Sequence, residues 1–190
     1  MCCKGRIKDN GEIVSGSPLI ALNVKDPFDR YFFVEKNKEN IDALRARCNS
    51  DYPDRNCVFI EGDCNKRVDE ILNAIPKFHG SYRGLTFCFV DPYKTSDLQF
   101  STIKALAGAL YIDFLVLIPS FMDINRNSVP YTKEDSPVID SFLGDDSWRE
   151  CWEYSEDRLY DKFGNFIADA FGHRMALLGY RYDGINDMEL

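Results

Sequence analysis

An α/β fold, with a mostly parallel sheet and helices on both faces, is predicted by three observations. Four short apolar runs rich in aromatic and β-branched residues, Tyr31 to Val34, Cys57 to Ile60, Leu85 to Val90 and Phe114 to Ile118, have the length and composition of buried strands. Between them, apolar residues recur at helical spacing. The strict alternation of the two patterns calls for parallel strands, because parallel neighbours need helical crossovers. Such an architecture is Rossmann-like.

Each element carries its own signals. Ser17-Pro18 reads as an N-cap followed by proline at the first helical position, opening a short helix through Val24. After the first strand, Asn37 caps a helix whose inner face is Ile41, Leu44 and Cys48. The second helix buries Val68, Ile71, Leu72 and Ile75 and is stopped by Pro76. Ser96-Asp97-Leu98-Gln99 reads as a capping box opening the third helix, with Leu98, Ile103, Leu106 and Leu110 on its inner face and Gly108 as an interruption or end. Beyond the fourth strand, residues 128–147 read as a long loop. Residues 148–179 read as a C-terminal helical segment weakened by Gly164 and Gly172 and ended near Gly179.

The 190 residues suit a single domain. An apolar content of 45% and only 12 Gly and 8 Pro exclude an intrinsically disordered or collagen-like chain. The longest uncharged apolar stretch, near Leu115 to Pro119, is far shorter than the ~20 residues of a membrane span. Met1-Cys2-Cys3-Lys4-Gly5-Arg6 lacks the apolar core of a secretory signal, so a cytoplasmic location is expected, with no membrane contact. The 7 cysteines include no Cys-x-x-Cys pair and only 2 histidines accompany them, so reduced thiols and no metal site are expected. His79 and His173 have no Ser or Cys partner identifiable from sequence, and no catalytic triad is assigned. A net charge of −8 and a pI near 4.8 oppose indiscriminate binding to nucleic acid but leave room for a local basic site. Acidic residues concentrate between Tyr131 and Asp161, a segment expected to face water.

In open α/β sheets ligands bind at the carboxyl ends of the strands. Three of those ends are acidic: Glu35, Asp63 and Asp91, each 28 residues from the next. A carboxylate after one strand can take both hydroxyls of a ribose, and one after the next can accept from an adenine amine. The alternative is that each stabilises the N-terminus of the helix that follows it. Asp91-Pro92-Tyr93 has a feature that a cap does not need, since the proline offers no N–H and holds the backbone extended, with an aromatic ring beside the acid. That set could grip and stack on a planar amine, or it is an ordinary X-Pro turn with a surface tyrosine. Asn125-Arg126-Asn127 follows the fourth strand and reads either as a set of donors to substrate or as a polar exit turn.

Several of these blocks together resemble the three-Cys-motif partner proteins: Gly16-Ser17-Pro18-Leu19-Ile20-Ala21-Leu22, Phe33-Val34-Glu35-Lys36, Glu61-Gly62-Asp63-Cys64-Asn65, Phe89-Val90-Asp91-Pro92-Tyr93 and Ile124-Asn125-Arg126-Asn127. The resemblance runs from about Gly5 to Asn127. It implies a class I, S-adenosylmethionine-dependent methyltransferase fold of bacterial origin that works beside a partner carrying a three-cysteine motif. By that resemblance Gly5, Glu35, Lys36, Asp63 and Cys64 would contact the cofactor, with Glu35 on its ribose and Asp63 on the adenine amine. Asp91, Pro92 and Tyr93 would form the catalytic motif, and Asn125, Arg126 and Asn127 would contact a nucleic-acid substrate. A catalytically silent scaffold that binds the three-cysteine partner is the other reading.

Two departures from the family pattern stand out. Base-amine methyltransferases usually carry Asp-Pro-Pro-Tyr, whereas this chain has one proline. Family members open with a strand leading into Asp-x-Phe-x-Gly-x-Gly-Arg, of which Cys3-Lys4-Gly5-Arg6 covers only the end. The expectation is therefore a fragment that lacks the first strand and the last strands of the fold.

Overall fold

A computed structural model describes residues 4–6, 13–76, 84–155 and 162–182. The chain divides into two compact units, Met1–Pro76 and Lys77–Leu190, and each contains one parallel pair of strands joined through helix. The architecture is α/β.

The first unit opens with a hairpin of β1 (Lys4–Arg6) and β2 (Ile13–Ser15), antiparallel, with Gly5 opposite Val14. No strand is expected there from the apolar pattern, because three-residue segments are too short to show alternation. Helix α1 (Ser17–Leu22) follows, but Gly16 is its N-cap, so Ser17 is the first helical residue and no side chain caps the turn. The helix ends at Asn23, short of Val24. Strand β3 (Tyr31–Glu35) pairs in parallel with β4 (Cys57–Glu61), Tyr31 against Cys57 and Glu35 against Glu61.

The crossover between β3 and β4 is α2 (Lys38–Asp51), capped by Asn37, whose Oδ1 accepts the Asn40 N–H at 3.1 Å. Its buried residues are the expected Ile41, Leu44 and Cys48. Leu19, Leu22, Tyr31, Phe33, Leu44 and Cys48 form this unit's core, in which the rings of Phe33 and Phe59 stack at 5.7 Å. Helix α3 (Val68–Ala74) ends at Ile75, immediately before Pro76.

In the second unit, β5 (Thr86–Val90) pairs in parallel with β6 (Ile112–Val116), Thr86 against Ile112 and Val90 against Val116. Strand β6 begins two residues earlier than the apolar run predicts and ends before Leu117 and Ile118, which carry the chain towards Pro119. The expected capping box is displaced. Asp97 belongs to a 3₁₀ turn, Thr95–Asp97, where its carboxylate accepts the Lys94 N–H at 3.2 Å. Helix α4 (Phe100–Ala109) starts after Gln99, without a side-chain cap.

After β6 the chain makes a single π-helical turn, Ser120–Ile124. It then forms α5 (Ser128–Tyr131), α6 (Val138–Leu143), α7 (Trp148–Glu153) and α8 (Phe163–Leu177). Two short helices thus occupy the stretch read as a long loop. The acidic segment is not simply a solvated face, because Ile139, Phe142, Leu143, Trp148 and Trp152 supply much of the second core together with Ile103, Ile124, Phe163, Ile167 and Phe171. Fully burying each such side chain contributes about 1.5–3 kcal/mol.

The described acids of that segment stay at the surface or find partners. Asp140 accepts from the Trp148 indole at 2.8 Å and from Arg149 at 2.9 Å, while Arg174 pairs with Asp145 at 2.5 Å. Residues 156–161, the acidic end of the segment, lie outside the described residues, as do Cys2, Cys3 and His79. His173 stands 3.3 Å from Asp169 on α8. None of the described helices is long and apolar enough to cross a membrane, and none of the described residues forms a cluster suited to a metal ion.

Candidate functional site

Each unit presents an acidic strand end, and the chemistry around the two ends differs. In the first unit, Glu35 closes β3, and its Oε1 accepts the Asn37 N–H at 2.8 Å, just ahead of α2. The carboxylate is held in a local turn by a donor two residues on, as a cap-supporting acid is. Lys36 is exposed beside it.

Past β4, the Gly62 N–H donates to the Glu35 carbonyl at 2.9 Å and so extends the ladder by one bond. Gly62 has φ +140°, and a Cβ there would stand 2.6 Å from the Arg67 Nε, so the position demands glycine. Asp63 then folds back on itself, and its Oδ1 accepts both the backbone N–H and the side-chain amide of Asn65 at 3.0 Å. Cys64 is half-buried in the same turn. Gly5 is a member of β1, paired to β2.

In the second unit, Asp91 follows β5 directly. It is exposed, and among the described residues it makes no hydrogen bond or ion pair, which sets it apart from Glu35 and Asp63. Pro92 is half-buried and the Tyr93 ring is 86% exposed. The strand ladder continues one bond past the pair, where the Leu117 N–H donates to the Val90 carbonyl at 2.9 Å, so Asp91 leaves the sheet at a fixed point.

The three residues after the π turn divide by role. Asn125 Oδ1 accepts the Gly164 N–H at 2.6 Å, satisfying one of the unpaired donors at the start of α8. The Asn127 side-chain amide donates to the Asp123 carbonyl and to its carboxylate, each at 2.9 Å. Both asparagines thus serve the fold, while Arg126 is exposed and among the described residues forms no ion pair. Phe121 and Met122 on the same turn are also exposed, at 71% and 69%.

Asp123 is the residue that sequence reasoning missed. Only 6% exposed, it receives four donors. Its Oδ2 accepts the Thr95 N–H at 2.8 Å and the Thr95 hydroxyl at 2.6 Å, its Oδ1 accepts Asn127, and the Tyr131 hydroxyl lies at 3.0 and 3.1 Å from the two oxygens. Burial alone would raise its pKa, but the hydrogen bonds from Thr95, Tyr131 and Asn127 outweigh burial and hold the carboxyl below its usual range. Burial and the facing Asp123 carboxylate push the Tyr131 phenol up to about 12. No local pattern announces Asp123, since Thr95 is 28 residues away.

Chemically, the first unit offers carboxylate acceptors on short, locally fixed turns. The second unit offers an uncommitted acid, an exposed ring and an exposed guanidinium on two backbone segments tied to one buried carboxylate. Compared with known proteins, the chain matches no family model, no curated protein and no solved structure.

Proposed function

We propose that the chain is a Rossmann-like, S-adenosylmethionine-dependent methyltransferase of the three-Cys-motif partner type, acting on an amine of a nucleic-acid base. The observation that carries this reading is the state of Asp91-Pro92-Tyr93. The acid is exposed and uncommitted, and the ring beside it is open to stacking. A carboxylate there for helix capping would be spent on backbone N–H groups, as Glu35 and Asp63 are.

The acceptors of the first unit suit an adenosine. The Asn37 N–H fixes the orientation of the Glu35 carboxylate, the group suited to a ribose diol. Asp63 commits one oxygen to Asn65, leaving the other for an exocyclic amine. Lys36, Cys64 and Gly5 are the remaining residues that the resemblance assigns to this cofactor. When bound, S-adenosylmethionine supplies a methyl group already activated by its sulfonium. What remains for the chain is positioning. Asp91 orients the acceptor amine and takes its proton, Tyr93 stacks on the ring, and Arg126 holds a neighbouring phosphate.

A second reading, a catalytically silent partner of a three-cysteine-motif protein, draws on different observations. Gly5 sits in a paired strand, and Glu35 and Asp63 already serve their own turns. Isothermal titration of the natural full-length chain separates the two readings. The enzyme reading expects micromolar binding of S-adenosylmethionine or its demethylated product, weakened about tenfold or more by Glu35→Ala, the loss of one charge-assisted hydrogen-bonding group. Absence of heat with both ligands removes it. The partner reading then requires that wild type and Glu35→Ala both co-purify with a co-expressed three-cysteine-motif protein.

A further inference from the structure

We propose that Asp123 is the positioning residue of the acceptor edge, joining the Asp91-Pro92-Tyr93 loop and the Arg126 turn into one rigid body. The inference rests on reading that edge as the acceptor site. Residues 91–94 are pinned at both ends. Val90 is fixed by its carbonyl bond from Leu117, and Thr95, fully buried, gives Asp123 both its N–H and its hydroxyl. Within that span Pro92 fixes one φ angle, and the Lys94 N–H is held by Asp97. Little backbone freedom remains to the segment that carries Asp91 and Tyr93.

Arg126 is held in the same way. The residue before it is anchored to α8 through Gly164, and the residue after it is anchored to Asp123. Three exposed groups suited to an amine, a ring and a phosphate are thus carried on backbone that one carboxylate fixes from both sides.

All of the donors to Asp123 are neutral, and among the described residues no cation pairs with it. The other charge felt by Tyr131 is Asp97, of the same sign. A buried carboxylate without a counter-cation is an expensive way to stabilise a core, and apolar residues of similar volume in place of the carboxylate and all of its donors together are often neutral or stabilising. What the carboxylate supplies instead is geometry, since it accepts from separate segments at once, as the supporting shell of a functional site must.

The test uses the full chain with Asp123→Asn, and with Thr95→Ser as a conservative variant that keeps both donors. Amide hydrogen exchange is read by mass spectrometry for segments 91–97 and 124–131, and affinity is measured for S-adenosylmethionine and for a single-stranded oligodeoxyadenylate. Asp123→Asn is expected to speed exchange about tenfold in both segments together while α8 keeps its protection. It should also weaken the oligonucleotide about tenfold and leave S-adenosylmethionine within twofold of wild type; Thr95→Ser should behave as wild type. Faster exchange in only one segment, faster exchange across the whole second unit, or unchanged oligonucleotide affinity despite loosened loops overturns the proposal. A wild type that binds neither ligand removes the methyltransferase reading alone, and the paired exchange result then decides the pinning by itself.

Discussion

Tyr131 and Asp123 share a proton donor and an acceptor in a half-buried setting, and that pairing has a measurable signature in alkali. A phenol whose folded pKa is about 12, against an ordinary value near 10, favours the folded state while it stays protonated. The contribution is fully present below pH ~10 and is lost as the pH rises from about 10 to about 12. Urea unfolding across that range should show wild type losing about 1–2 kcal/mol more than Tyr131→Phe, after allowance for solvent screening. Equal alkaline slopes would mean that the phenol does not bond the carboxylate. At this scale the sequence was partly legible. Glu35, Asp63 and Asp91 were found because a strand end announces itself, and their differing commitments were foreshadowed by Pro92, which removes the N–H that a cap would use. Asp123 left no trace because the partner that ties it to the other loop, Thr95, lies 28 residues away.

Among the elements, α8 and α4 use glycine for opposite reasons. At Gly164 a Cβ would lie 2.8 Å from Asn125 Oδ1 and 2.9 Å from both the Cβ and the carbonyl oxygen of Ser120, so the helix start packs directly on the π turn. At Gly108, exposed inside α4, a Cβ would meet nothing within 4 Å. Gly164→Ala should therefore destabilise by about 1–3 kcal/mol through overpacking, whereas Gly108→Ala should stabilise by about 0.5–1 kcal/mol through helix propensity. Paired urea midpoints check both signs. Strands β3, β4 and β5 were legible because compact apolar runs end in a polar residue. Strand β6 slid by two residues because Leu117 and Ile118 are as apolar as the strand, although they lie past its end. Helix α6, at 6 residues, is shorter than the window over which helical period emerges, so acidic neighbours masked Ile139 and Phe142, whereas α7 falls within the helical segment read over 148–179.

At the level of the whole chain, a charge of −8 sets how any nucleic acid would be held. Only Lys94 and Arg126 offer cations on the two segments that carry Asp91, Tyr93 and the π turn. Neutralising two phosphates of a single strand gives a slope of log affinity against log salt near −1.4, at about 0.7 per contact. A titration of oligodeoxyadenylate from low to moderate salt should give a value between about −1 and −2, and a slope steeper than about −4 would place the binding face elsewhere. The α/β class was legible because strand and helix alternate through the chain. The division into two units was not, because nothing in the composition changes near Pro76.

The ring of donors around Asp123 also constrains how this chain can change over generations. Losing one donor, Thr95, Asn127 or Tyr131, leaves the carboxylate the others to lean on. Losing the carboxylate strands the Thr95 and Tyr131 donors at once, and each unsatisfied buried group costs about 1–3 kcal/mol. Drift can therefore edit the rim of this hub one position at a time, whereas its centre can be exchanged only in company with several concurrent substitutions.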